Sequence, residues 1–338
     1  MKIKYHLIAI ATLIGTLTSS ATAPVFAQPQ TQARNRIVIA DYMMWYDPAV
    51  FDGKQTFDVP ASGGYNSDDF STIQRHVAQA QQSCLDGFSP HWYGPQEPRT
   101  TANFNKLLQA SAGTNLRHAV VIQSNIVPKA TEKIQIDTVN FVLQNWASHP
   151  NYLKIDGRPV IIFTDMPRPF GSDARALAGW ARVRQATDPD HKMIWMAEGF
   201  STAYLPTFDG LYVYRIDHRF CPNCWVKQTR WAESVRTKAQ QTNAKLYFAD
   251  TIAPGFDDSR SRKVPIDYRI ASPAFARDRR NGQYYKDTFA VTEQTNADFM
   301  IVKSFNEWVE GTAIEPGSKY GDSYMKLTCE LAQTYKSR

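Results

Sequence analysis

Two glutamates, Glu307 and Glu310, stand three residues apart in the stretch KSFNEWVEGTAIEP (303–316), with Asn306 and Trp308 beside them. Carboxylates held close repel when both are ionised, so one is pushed toward its protonated form and the pair can divide into an acid and a base. If residues 307–310 form a helical turn, the two side chains project side by side, about 5–6 Å between Cβ atoms. Cleaving a glycosidic bond needs that division of labour. One group protonates the departing oxygen while the other assists at the sugar ring. An arbitrary E-x-x-E more often caps a helix or meets an arginine, so the pair carries chemistry only where the fold sets it in a cleft.

The elements around the pair supply one. Short apolar runs recur along the chain: IVIADY (37–42), DGFSPHWYG (86–94), HAVVIQSN (118–125), PVIIFTDM (159–166), KMIWMAEG (192–199), FDGLYVYR (208–215), AKLYFADTIAPG (244–255) and DFMIVKSFNEW (298–308). They are continuous β-branched and aromatic runs without polar alternation, as expected of strands buried on both faces. Between them lie stretches such as DFSTIQRHVAQAQQSC and TEKIQIDTVNFVLQNWAS, whose apolar residues recur at three- and four-residue steps, the amphipathic-helix pattern. Eight strand–helix units predict an α/β fold, a single (β/α)8 TIM barrel spanning 37–338. An open doubly wound sheet is the competing topology, but no glycine-rich phosphate loop follows the first strand.

Active sites of such barrels lie at the C-terminal ends of the strands, where Asn306, Glu307 and Glu310 follow the eighth. The other strand ends carry Trp45 and Tyr46, His91, Trp92 and Tyr93, Gln123 and Asn125, Asp165, Glu198, Asp257 and Asp258. Aromatic faces can stack on sugar rings while carboxylates and amides read hydroxyls. The rim therefore suits carbohydrate better than an apolar ligand.

Composition narrows the setting. The chain opens MKIKYH, followed by an apolar stretch and small residues up to Ala27, the layout of a secretory signal peptide cleaved before Gln28. A polar leader, 28–36, follows. Once Lys2 and Lys4 leave with the signal, 36 basic side chains face 32 acidic ones, a net +4 with no basic block, so nucleic acid is not implied. No later run is long enough to span a membrane. Export, to periplasm or medium, makes disulfides the expectation for the four cysteines. Cys221 and Cys224 in CPNC lack the further paired ligands of a zinc site, and a small loop closed between them is expected. Cys84 ends the first helix and Cys329 lies in the last, which barrel closure makes neighbours, so a Cys84–Cys329 bridge is expected.

The segment SFNEWVEGTAIEP resembles the signature of glycoside hydrolase family 99 and its endo-α-mannosidase and family 71-like relatives. Further matches follow in order: WYDP (45–48), DGFSPHWYGP (86–95), HPNYLKIDGRPVIIF (149–163), APGFDDSRSR (253–262) and RRNGQYYKDTF (279–289). The resemblance implies an exported retaining endo-glycosidase acting on α-mannan-like or related α-linked polysaccharide. It needs no cofactor or metal, and a monomer is expected. It implies that Glu307 removes the proton from the sugar's 2-hydroxyl, and that Glu310 protonates the leaving group and later activates water. Tyr46, Trp92, Tyr93, Asp258 and Arg260 match motif positions that would touch sugar, and Asn306 would hydrogen-bond substrate or brace Glu307. The alternatives are an α-1,3-glucanase-like hydrolase and a non-catalytic glycan-binding or polysaccharide-assembly protein. The chain departs from the pattern at Val309, where the family usually carries histidine, and in the run after Arg262.

Overall fold

In a computed structural model, which describes Met1 and residues 36–123, 131–218, 221–261 and 275–338, eight parallel strands close into a barrel. The expected signal at 1–27 (Met1 aside), Asn125 and most of the diverged run after Arg262 lie outside the described residues. In chain order the elements are β1 (Ile37–Tyr42), α1 (Phe70–Gln82), β2 (Gly87–Trp92), α2 (Pro98–Ala110), β3 (Val121–Ile122) and α3 (Glu132–Asn145). β4 (Arg158–Phe163), α4 (Asp173–Thr187), β5 (Ile194–Glu198), β6 (Gly210–Tyr212) and α5 (Gln228–Thr242) follow. β7 (Tyr247–Ile252), α6 (Gln283–Thr295), β8 (Phe299–Val302) and α7 (Ser323–Lys336) complete the ring. Each strand pairs with its sequence neighbours, and β8 returns to β1 with Ile39 opposite Ile301 and Ala40 opposite Val302.

All eight strand expectations hold, because continuous apolar runs can be buried on both faces. Side chains along a strand alternate faces. Ile39, Val121, Val160, Ile162, Ile194, Met196, Tyr212, Tyr247, Ala249, Phe299 and Ile301 pack with one another inside the barrel. Val38, Ala40, Tyr42, Phe88, Trp92, Ile122, Ile161, Phe163 and Trp195 pack outward with the helices. Gly87 is required on β2: a Cβ there would sit 1.5 Å from the Arg117 carbonyl oxygen.

One strand–helix unit differs from expectation. The segment 199–209 forms only a 3₁₀ turn, Thr202–Tyr204, in place of a helix. It is short and carries Pro206, which removes a helical hydrogen bond; Phe208 instead packs edge-on against Trp180. Before β4, Lys154–Ile155 folds back antiparallel on Arg158–Pro159. Asp156 and Gly157 turn the hairpin with positive φ, 52° and 77°, as the two-residue turn requires. No helix among the described residues is long and apolar enough to cross a membrane.

α1 packs beside α7, and the expected bridge joins them: Cys84 and Cys329 are disulfide-bonded with Cα atoms 4.7 Å apart. Cys221 and Cys224 are bonded as well, Cα atoms 5.2 Å apart. The long bridge links residues 245 apart, so it removes much loop freedom from the unfolded chain, about 5 kcal/mol in the loop-entropy account. Replacing Cys329 by serine should lower unfolding stability by about 3–5 kcal/mol, whereas opening the four-residue Cys221–Cys224 loop should cost far less. Chemical denaturation of the two variants against the parent checks the order.

Candidate active site

Strand parity determines what reaches the barrel mouth. Continuing the inward series beyond the apolar layers brings up Asp41 on β1, Ser89 and His91 on β2, Glu198 on β5 and Lys303 just past β8. Ser89 donates to Asp41 Oδ1 at 2.9 Å. The Gln123 amide donates to His91 Nδ1. That puts the ring's proton on Nε2, 3.4 Å from Asp41 Oδ1. A floor of buried polar groups thus lies under the mouth.

Past Val302 the chain crosses that mouth as a closed loop. The Phe305 N–H donates to the Asp41 carbonyl at 2.8 Å, and the Ile314 N–H returns to the Ser304 carbonyl at 3.0 Å. Between them, residues 308–311 make a turn closed by Gly311 N–H on the Trp308 carbonyl at 3.1 Å. Gly311 takes φ +64°, with backbone atoms of Asp257 close by, so glycine is needed there. Glu307 lies just before the turn and Glu310 within it. The geometry is therefore a hairpin-like turn, not a helical one, and both glutamates are held by one closed loop.

Each carboxylate has a tyrosine from a different part of the barrel. Tyr46, past β1, donates to Glu307 Oε1 at 3.0 Å and accepts the Trp308 N–H at 2.9 Å. Tyr214, past β6, donates to Glu310 Oε2 at 3.0 Å. Lys303 lies 3.5 Å from the same Oε2 and 2.8 Å from Asp217 Oδ1. Its ammonium lies 4.5 Å from the Tyr214 ring centre and 4.7 Å from that of Phe256. His218 Nε2 faces Glu310 Oε1 at 3.9 Å. Burial alone would pull the Lys303 ammonium down, but Asp217 and Glu310 outweigh it and hold the lysine above its ordinary value. Burial pushes the Asp217 carboxyl up, with the Lys303 ammonium opposing it.

A third glutamate braces the loop. Glu315 Oε2 accepts from the Tyr65 hydroxyl and the Trp308 indole, both at 3.0 Å, and Oε1 meets His76 Nε2 at 3.0 Å. The other His76 nitrogen takes the Tyr42 hydroxyl at 2.9 Å. Burial, and then the nearby Glu315 carboxylate, push the Tyr65 hydroxyl well above its ordinary value, which keeps it a donor. A cavity of about 160 Å³ lies against the same loop, among Phe57, Phe256, Arg279, Trp308 and Tyr320; neither glutamate lines it.

The structure redistributes the remaining predicted residues. Tyr46 and Tyr93 lie in the aromatic cluster at the mouth with Trp45 and Trp308. Trp92 does not reach it. It has outward parity on β2, is wholly buried against Trp146 and Phe141, and donates its indole N–H to Thr101. Asn306 is also committed elsewhere. Its Oδ1 accepts the Met43 N–H at 2.7 Å, and its Nδ2 donates to the Met43 carbonyl and to Tyr65, so this fully buried amide is a brace. Asp258 is buried beside the β7 loop, whose Asp257 N–H donates to the Glu310 carbonyl at 2.7 Å. Arg260 stacks over Phe57 at 4.2 Å and reaches the Thr56 carbonyl. Glu198 accepts the Asp165 N–H at 2.9 Å and lies 3.7 Å from Arg215, latching three strand ends.

Sequence reasoning missed Lys303, Tyr214, Asp217, His218 and the Glu315 network. Lys303 had a usable signal, since it continues the inward positions of Phe299 and Ile301. Asp217 and His218 had none, because their meeting with residue 310 depends on barrel closure.

A family model described as glycosyl hydrolase family 99 matches residues 52–330. The chain is 23% identical over 274 residues to a human glycoprotein endo-alpha-1,2-mannosidase-like protein, and 22% over 277 residues to the mouse glycoprotein endo-alpha-1,2-mannosidase. Each alignment covers 76% of this chain and 56% of the relative, so the chain spans little more than half their length. Its fold matches that of the GH99 endo-alpha-mannosidase from Bacteroides thetaiotaomicron with a TM-score of 0.72 and 21% identity, over 89% of this chain and 97% of that one.

Tyr46→Phe should leave the fold intact but destabilise it by about 1–3 kcal/mol, since the buried Trp308 N–H and Glu307 both lose a partner. Urea unfolding checks the loss.

Proposed function

The chain belongs to glycosyl hydrolase family 99, and from that premise we propose that it is an exported, retaining endo-glycosidase acting on α-mannan-like or related α-linked polysaccharide. The observation that carries the reading is the placement of two buried carboxylates, Glu307 and Glu310, at the C-terminal mouth of the barrel. Each receives a hydroxyl hydrogen bond from a different strand end.

In the first step Glu307 takes the proton of the sugar's 2-hydroxyl as O2 bonds to the anomeric carbon. The glycosidic bond breaks, and Glu310 gives its proton to the departing oxygen. In the second step Glu310 takes a proton from water and the water oxygen bonds to the anomeric carbon. The C1–O2 bond opens, and Glu307 returns its proton to O2. Two inversions give net retention, and both carboxyls end as they began. Attack by O2 needs the 2-hydroxyl on the face opposite the leaving group, which favours α-mannosides over α-glucosides. Tyr46 and Tyr214 orient the two carboxylates, and Tyr93, Asp258 and Arg260 are candidate sugar contacts at the rim. Two disulfides suit an oxidising compartment.

The mature protein should hydrolyse α-mannan oligosaccharides, with the α-anomer released first by NMR. Glu307→Gln and Glu310→Gln should each lower kcat by about 10²–10⁴-fold, the usual contribution of a positioned acid or base. Cleavage confined to α-1,3-glucans would move the substrate and keep the pair. Binding without turnover on every glycan tried would make the chain a glycan-binding relative and remove the catalytic reading.

A further inference from the structure

Lys303 is an ionisable residue wholly buried at the end of β8, where the mechanism above gives it no part. Its surroundings do. The ammonium is 2.8 Å from Asp217 Oδ1 and 3.5 Å from Glu310 Oε2, between the rings of Tyr214 and Phe256. Asp217 is also wholly buried. Charges are rarely held so deep unless something fixes them, because each loses its hydration. Here each fixes the other, and the arrangement leaves the cation aimed at one catalytic carboxylate. We propose that Lys303, anchored by Asp217, is a positioning residue that holds the Glu310 carboxylate in place and sets how readily it takes up the proton it must deliver.

The effect has a definite sign. A cation within 4–6 Å favours the ionised carboxylate, and Asp217 moderates it by partly neutralising the ammonium. Among the described residues, titratable and charged groups facing Glu310 come from the strand ends around it. Lys303 follows β8, while Tyr214, Arg215, Asp217 and His218 follow β6. Glu307 shares its loop, and Asp257 past β7 approaches through its backbone N–H. Lys303 and Asp217 are bonded to each other beside Glu310, and removing one must act in the opposite direction to removing the other. Without Lys303, Glu310 should bind its proton more tightly. Without Asp217, the lysine is left to Glu310 alone, which should then stay ionised to lower pH.

The inference rests on the glycosidase reading for its role in the reaction but not for its readout. Carboxyl ¹³C NMR of the ¹³Cδ-glutamate-labelled mature protein follows Glu310 directly, its resonance identified by its loss in Glu310→Gln. Lys303→Met should raise the Glu310 titration midpoint by about one pH unit or more, and Asp217→Asn should lower it by a comparable amount. The alkaline limb of the kcat/KM profile on α-mannosides should move with each midpoint. Midpoints unchanged in folded variants, or shifted in the same direction, would overturn the proposal. If Lys303→Met fails to fold, as judged by near-UV circular dichroism, the downward shift in Asp217→Asn decides alone. Opposite shifts in a protein that hydrolyses no α-glycan would uphold the charge-setting role and remove the glycosidase reading.

Discussion

The side-chain amide of Asn306 takes both the N–H and the carbonyl of Met43, and the remaining order at the barrel mouth depends on that double hydrogen bond. It ties the chain leaving β8 to the chain leaving β1, the two ends of the sheet that closure brings together. With that seam fixed, the loop 304–314 can fold across the mouth with the N–H groups of Phe305, Trp308, Gly311, Thr312 and Ile314 hydrogen-bonded, as a buried loop requires. Tyr46 then lies where its hydroxyl bridges Glu307 and the Trp308 N–H. The same anchoring brings Tyr65 to Glu315, and through Glu315 to His76 and the Trp308 indole. The loop that carries both glutamates is thus held from beneath by tyrosine, histidine, indole and amide groups and one further carboxylate, all buried.

Polar groups at such depth are stabilising only when paired, since an unmet donor or acceptor forfeits its hydration for nothing. The mouth meets much of this demand through connected networks. Asp41 gathers Ser89 and His91, with Gln123 behind the histidine; Glu198 gathers a backbone N–H and Arg215; Glu315 gathers three donors. These networks make the carboxylate positions rigid, and rigidity is what acid–base chemistry on a bound sugar needs. The Lys303–Asp217 pair differs in kind. A hydrophobic pair of the same volume would often be at least as stable, so what this pair adds beside Glu310 is charge.

Much of the fold is legible in the residues alone because burial on both faces leaves a plain mark. The eight apolar runs are the eight strands, and the hairpin at Asp156–Gly157 follows from the residues a tight turn demands. The missing helix between β5 and β6 is legible afterwards in Pro206 and the shortness of the segment. Trp92 is placed by strand parity: it follows Phe88 by an even step and His91 by an odd one, so it must face the helices if His91 faces the barrel. An aromatic residue in a family-like motif does not outweigh strand parity.

The sequence by itself determined the barrel, the mouth at which Glu307 and Glu310 stand, and two cysteine pairs whose bonding neighbours follow from chain order and helix succession. These are local or nearest-neighbour properties, set by period, turn chemistry and the closure of a repeating unit. Only the tertiary structure decided which groups surround each carboxylate. Lys303 and Asp217 lie 86 residues apart, His76 and Glu315 239 apart, and no pattern within a run of sequence encodes such meetings. They arise because closure brings the ends of β1, β6 and β8 to one mouth, where a few ångströms of side-chain reach fix the charge and hydrogen-bond environment of each glutamate.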